Sequence, residues 1–225
     1  MTRIFFFVLC CICFCQATVA QHQKTFDDYR QEAGEYASLF RGKLERGYPS
    51  FEYANHPYWS DGSFSHGEVL YNGLLYTNLS IRFDTFLNQL IVRTPNRNVP
   101  VWVDMSAVAY FTLEQLRFVR QGETFVALHY DSPRVKLVQR AECTFGIPIT
   151  KNGVSYKNFK RTSRYWLQRG DKSYEVKSLS SVLKHFPSEK KLLKQFAKEQ
   201  HLNFKEDRAA ALTALIGYAD RITQP

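Results

Sequence analysis

The chain has 225 residues, 44% of them hydrophobic and 23% charged, with 30 Lys+Arg against 21 Asp+Glu and a formal net charge of +9. This is ordinary globular composition, and it excludes a disordered chain, a collagen-like repeat and a low-complexity array. The length suits one domain with at most a small appended module, and an aromatic content of 15% favours strands and large buried surfaces.

Residues 1–20 read as a secretory signal peptide. Arg3 forms a short positive start, Ile4 to Cys15 is an unbroken apolar run, and Thr18-Val19-Ala20 offers small or tolerated residues for cleavage. The run falls short of the ~20 apolar residues that a membrane-spanning helix needs, which argues against an uncleaved anchor. Lipoprotein attachment is the other alternative, but none of Cys10, Cys11, Cys13 and Cys15 follows a small residue as a lipobox requires. Processing after Ala20 exposes Gln21, which can cyclise and lose its amine charge. Of the five cysteines only Cys143 then remains, so no intramolecular disulfide is possible. Secreted eukaryotic domains of this size usually carry several bridges; their absence points to a bacterial envelope protein with an adequate core of its own. No later segment has 18 consecutive apolar residues, so the remainder is not expected to cross a membrane as a helix.

Residues 21–60 predict a short helix near 25–33, from Phe26, Tyr29 and Ala33 at helical spacing, and then an irregular or extended segment broken by Gly42, Gly47 and Pro49. Residues 61–177 predict an antiparallel β domain. Asn72-Gly73 between two apolar runs is the strongest short hairpin signal. Leu79, Ile81 and Phe83 alternate with polar residues as a half-buried strand does. Further strands are expected at Leu87–Val92, Val101–Val103, Ala107–Thr112, Arg117–Arg120, Thr124–Tyr130 and Val135–Arg140. Residues 141–162 hold Gly146, Pro148 and Gly153 and read as a long loop, followed by a last hairpin around Arg169-Gly170-Asp171. In residues 178–225 the apolar period changes from two to 3.6. Ser178, Ser188 and Asp207 are the expected N-caps of three helices. The fold class is therefore α+β: a mostly antiparallel β body, sandwich or barrel-like, with C-terminal helices packed on it.

Charge is concentrated between Arg134 and Lys172, where ten Lys/Arg meet two acids, with Tyr156, Phe159, Tyr165 and Trp166 interleaved. Such a pattern can bind nucleic acid, but an exported protein rarely meets any, so no nucleic-acid partner is expected. An anionic envelope surface, a glycan or an envelope protein fits better, with Lys151, Lys157, Lys160, Arg161 and Arg164 as the contact residues. The plainer reading is a solvated sheet face whose lysines guard an edge. His56-Pro57-Tyr58-Trp59 is either an aromatic contact patch, through Tyr58 and Trp59, or a buried plug at one end of the sheet.

Chemistry is poorly signalled. Cys143 with His129 has no nucleophile context, and a lone buried thiol is the ordinary reading. His56, Asp61, His66 and Glu68 form the densest His/acid group but lack a tight ligand doublet, which favours turn roles. Asp84 and Asp104 interrupt strands as turn residues do. Arg169-Gly170-Asp171 spells an integrin-type tripeptide, placed there by backbone needs. No phosphate loop, dinucleotide fingerprint or nucleophile elbow occurs, and no cofactor or metal is expected.

The run Gly67-Glu-Val-Leu-Tyr71-Asn-Gly73-Leu-Leu-Tyr76, with Ile81-Arg-Phe-Asp84 and Gln89-Leu-Ile-Val92, resembles a family of uncharacterised exported proteins of Bacteroidota. So does the ending: Tyr165-Trp-Leu, Tyr174-Glu-Val, Leu183 and Leu202-Asn-Phe204. The resemblance covers most of the chain after the leader, with Phe83-Asp84 standing where family members show Tyr-Asp. It implies an envelope location and a mostly-β body with C-terminal helices, and no activity or functional residue. The expectation is a non-enzymatic binding or structural component in the periplasm or at the outer-membrane surface of a Gram-negative bacterium, at most peripheral to the membrane. The alternative is a periplasmic hydrolase with a site on the 141–162 segment or near His56.

Overall fold

The computed structural model describes residues 33–34 and 37–223. The helix expected near 25–33 falls, except for Ala33, outside the described residues. From Ala37 to Ser60 the chain is irregular, with one 3-10 turn at Ser38–Phe40. Twelve strands follow among the described residues: β1 (Ser65–Tyr71), β2 (Leu74–Asp84), β3 (Gln89–Arg93), β4 (Pro100–Trp102), β5 (Val108–Leu113), β6 (Leu116–Gln121), β7 (Thr124–Asp131), β8 (Lys136–Phe145), β9 (Ile149–Lys151), β10 (Val154–Tyr156), β11 (Phe159–Arg169) and β12 (Lys172–Glu175). Three helices close the chain: α1 (Leu179–Leu183), α2 (Lys190–Glu199) and α3 (Arg208–Ile222).

Ten strands form one open antiparallel sheet in the order β12-β11-β8-β7-β6-β5-β1-β2-β3-β4. The α+β architecture with a β-rich body is thus the one the sequence predicts. Asn72 and Gly73 turn β1 into β2 with both residues at positive φ, 49° and 76°, the backbone that a two-residue hairpin demands. β2 then runs unbroken for eleven residues. Within it Asn78 sits in a bulge at φ 53° opposite β1.

The sheet curls strongly. β2 and β6 are three strands apart in the ladder, about 14 Å if the sheet were flat, yet the Phe83 and Phe118 rings lie 5.5 Å apart. Phe111 stacks between them on Phe118 at 4.6 Å. Asn88, in the β2–β3 turn, accepts from the Phe125 N–H at 3.1 Å and donates to the Glu123 carbonyl at 2.9 Å, joining that turn to the start of β7. The concave face holds one apolar cluster built from β1 to β7. A second cluster lies under the helices, where Leu137, Tyr165 and Leu167 meet Val182, Phe186, Leu193, Leu212 and Leu215.

The reading of 141–162 as a long loop is corrected. β8 continues to Phe145, and β11 begins at Phe159 and pairs with it residue for residue, Phe159 with Phe145 through Gln168 with Lys136. Between them β9 and β10 form a separate hairpin around Asn152-Gly153, again at positive φ. The Gly and Pro residues punctuate this excursion without dissolving the strands beside it. In the helical part Ser178 caps α1 with a full capping box, and the Asp207 side chain accepts the Ala210 N–H at the start of α3. Ser188 does not cap α2: Glu189 occupies that position without a side-chain bond. Arg134 clamps α3 to the sheet by pairing with Asp220 at 2.8 Å, while Tyr130 donates to the same carboxylate at 3.0 Å.

Candidate functional site

Strand alternation divides the expected basic contact residues. Lys160 and Arg164 point from β11 to the convex face, where Arg164 lies 3.8 Å from Glu142. Arg161 points to the concave face, and its guanidinium donates to the carbonyls of Tyr58 at 2.8 Å and Ser60 at 2.7 Å. It ties the 45–60 segment to the sheet. Lys151 projects from β9, and Lys157 sits over the Tyr53 ring, 3.5 Å from Glu52. Tyr58 is 5% exposed, and Trp59 packs edge-on against Phe118 at 4.9 Å.

Around Tyr58 lies a buried polar knot. Its hydroxyl donates to Glu45, and Glu45 pairs with Arg82 at 2.8 Å. Tyr48 donates to Asp84 at 2.6 Å, and Asp84 also accepts the N–H groups of Phe86 and Leu87, the turn role expected of it. Burial pushes the Asp84 carboxyl above its ordinary range, against the pull of these three donors. Burial and the neighbouring carboxylates likewise push the Tyr48 and Tyr58 hydroxyls far up, so both stay protonated as donors.

Between the aromatic end and the helices the concave face opens into a cleft of about 680 Å³. Three polar residues from three strands form a relay on its floor. A bulge in β7 between Leu128 and Tyr130 leaves His129 unpaired in the ladder and frees its ring to meet Gln139 on β8, with Nε2 at 2.6 Å from Oε1. Gln139 Nε2 donates in turn to Ser163 Oγ on β11 at 2.8 Å. An amide oxygen only accepts, so the imidazole donates to it. Burial lowers the His129 pKa, outweighing the bond to Gln139, and the ring is neutral at neutral pH. Tyr58, Trp59 and Arg161 form one wall, Tyr165 adds a ring, and Asp207 and Ala209 at the start of α3 form the other side. Glu114 reaches the cleft from the β5–β6 turn, where Glu114 and Gln115 both have positive φ, 51° and 67°. Side chains with a Cβ adopt that backbone at about 1–2 kcal/mol each.

The amide between His129 and Ser163 cannot take the serine proton, so no base is aimed at the hydroxyl. Cys143 lies four residues, about 13 Å, along β8 from Gln139, buried and free. Burial and Asp84 raise its pKa, so His129 and Cys143 are not a nucleophile pair. His56 stacks on Tyr58 at 5.5 Å, and Asp61 accepts the Ser63 N–H in a turn. Among the described residues no group of three His, Cys, Asp or Glu could hold a metal ion. Arg169 of the Arg-Gly-Asp turn is engaged with the His185 carbonyl and the Phe186 ring. No helix among the described residues is long and apolar enough to cross a membrane.

Of the residues lining the cleft, the sequence reading names Tyr58, Trp59 and Arg161 and does not bring His129, Gln139 and Ser163 together as a set. Their spacing of ten and 24 residues means nothing until the strand register and the β7 bulge are known. No family model, curated protein or solved structure matches the chain.

The relay sets a pH response. A histidine whose folded-state pKa is lowered contributes stability that is full above its ordinary value of 6.5 and is lost as pH falls through the lowered one. Thermal unfolding measured from pH 8 to pH 5 is expected to show this loss, and His129→Gln to reduce the slope. Identical profiles for the two proteins would show that His129 is solvated and unpaired.

Proposed function

We propose that the protein is an exported, non-enzymatic component of a Gram-negative envelope, in the periplasm or at the outer-membrane surface, that binds a glycan in this cleft. The observation that carries the reading is the His129–Gln139–Ser163 relay on the cleft floor. It presents a fixed row of donors and acceptors without an activated nucleophile. Sugars match such a site: each hydroxyl both donates and accepts, and the C–H faces rest on aromatic rings such as Trp59. The volume is that of a small-ligand pocket. Export through residues 1–20 and kinship with exported Bacteroidota proteins belong to the same proposal.

Titration with oligosaccharides released from Gram-negative envelopes, read by tryptophan fluorescence, tests it. Saturable binding with the sugar recovered intact is expected. Ser163→Ala should weaken binding roughly fivefold, the worth of one hydrogen bond, with a stability loss of about 1–3 kcal/mol at most, because the buried Gln139 amide then loses its acceptor. Shortened sugars in the product would establish the hydrolase instead, and no binding would end the glycan reading. In envelope extracts the chain should begin at a cyclised Gln21.

A further inference from the structure

Eight large apolar side chains are exposed among the described residues, and most gather at one end of the sheet. Ile147 is 86% exposed, Phe145 53%, Val154 49% and Ile149 37%, all on or beside the β9–β10 hairpin. Phe51 is 75% exposed and precedes the segment that pairs with Lys157 through the Glu52 and Ala54 backbone. Leu87 is 46% exposed and follows Phe86, whose ring packs on Phe145 at 5.0 Å.

The hairpin itself is two-sided. Its register pairs Ile149 with Tyr156 and Lys151 with Val154, placing these four on one face and Thr150 and Ser155 on the other. It forms a two-stranded sheet of its own. Two strands without a third, and without a covered face, are marginal in water. Apolar side chains clustered in the open mark a docking surface.

Charge indicates what docks. From Cys143 to Gly170 the sequence contains no Asp or Glu, while Lys151, Lys157 and Lys160 stand in the same stretch as the exposed apolar residues. Lys151 and Lys160 have no acidic partner among the described residues. Exposed apolar side chains along and beside the hairpin, with lysines among them, match a bilayer of acidic lipids: the apolar side chains enter among the acyl chains and the ammonium groups meet the headgroup phosphates.

We propose that the β9–β10 hairpin, with Phe51, Phe145 and Ile147 at its base, docks the protein on an acidic phospholipid surface. The hairpin is separate from the cleft, so this attachment stands or falls independently of glycan binding.

Flotation with vesicles of phosphatidylcholine, with and without phosphatidylglycerol, tests the proposal. Binding is expected only with phosphatidylglycerol and should weaken as salt rises. Lys151→Gln and Lys160→Gln should each reduce it roughly fivefold, the contribution of one lysine near such a surface. Ile147→Asp combined with Val154→Asp should abolish it at every salt concentration, with unchanged melting temperature because both side chains are exposed. An Ile147→Trp variant should show a blue-shifted emission on the acidic vesicles. Failure to float with acidic vesicles overturns the proposal, as does binding indifferent to the two aspartates. Sedimentation as a dimer that Ile147→Asp dissociates also overturns it, making a second copy of the chain the occupant.

Discussion

Glu45→Ala should destabilise the protein by about 3–5 kcal/mol, the range for removing one partner of a buried ion pair. The side chains of Arg82 and Glu45 are 17% and 5% exposed. The guanidinium lies 3.8 Å over the Tyr58 ring and 4.5 Å over Phe64 and also donates to the Gly62 carbonyl. Without the carboxylate, a nearly buried cation keeps one carbonyl as its polar partner, and the Tyr58 hydroxyl loses its acceptor. Pairing Glu45→Leu with Arg82→Met should recover only part of the loss: two apolar side chains need neither desolvation nor a partner, but the buried Tyr58 hydroxyl stays without its acceptor. Urea unfolding of the single and double variants measures this. A single-variant loss below about 1 kcal/mol, typical of a solvated surface pair, would mean that the 45–60 segment is not anchored as described.

Phe118→Ala should cost a similar amount, about 3–5 kcal/mol. Phe118 is 1% exposed and touches Phe111, Phe83 and Trp59 at ring distances of 4.6, 5.5 and 4.9 Å. Its removal opens a void where three strands converge and takes away the surface on which Trp59 rests. Glycan affinity should therefore fall together with a large stability loss, whereas Ser163→Ala lowers affinity at the smaller cost of one unpaired Gln139 amide. Unfolding and fluorescence titration of the two variants separate these effects. A Phe118→Ala protein with undiminished affinity would show that Trp59 holds its place without that support.

The contrast between these two residues also explains what could be read from the chain alone. Phe118 belongs to an alternating strand, and alternation is local, so the strand was legible. So were the Asn72-Gly73 turn, the Ser178 and Asp207 caps and the apolar stripe of α3, each a signal contained within one or two turns of chain. Asn152-Gly153 carries the same hairpin signal as Asn72-Gly73, but Gly146, Pro148 and the surrounding lysines obscured it. The cleft was not legible. Gln139 reads as one more polar position on a strand, and only the β7 bulge and the β8–β11 register bring His129 and Ser163 to either side of it. The split of the basic run between two faces follows from strand alternation, which became available once 159–169 was known to be a strand.

The strand order has a kinetic consequence. β1 to β4 are neighbours in space as in sequence, and so are β5 to β8 and the β11–β12 pair. Among the ladders of this sheet in the described residues, the β1–β5 and β8–β11 pairings bridge longer stretches of chain. A sheet of ten strands built this way has low contact order for its size, because most of its ladders close through short loops. Refolding should begin as two independent meanders that zip from their turns, with the β1–β5 seam closing last. Substitutions at that seam, such as the close-packed Gly67 whose added Cβ would meet the Thr112 carbonyl oxygen at 2.2 Å, should accelerate unfolding far more than they slow folding.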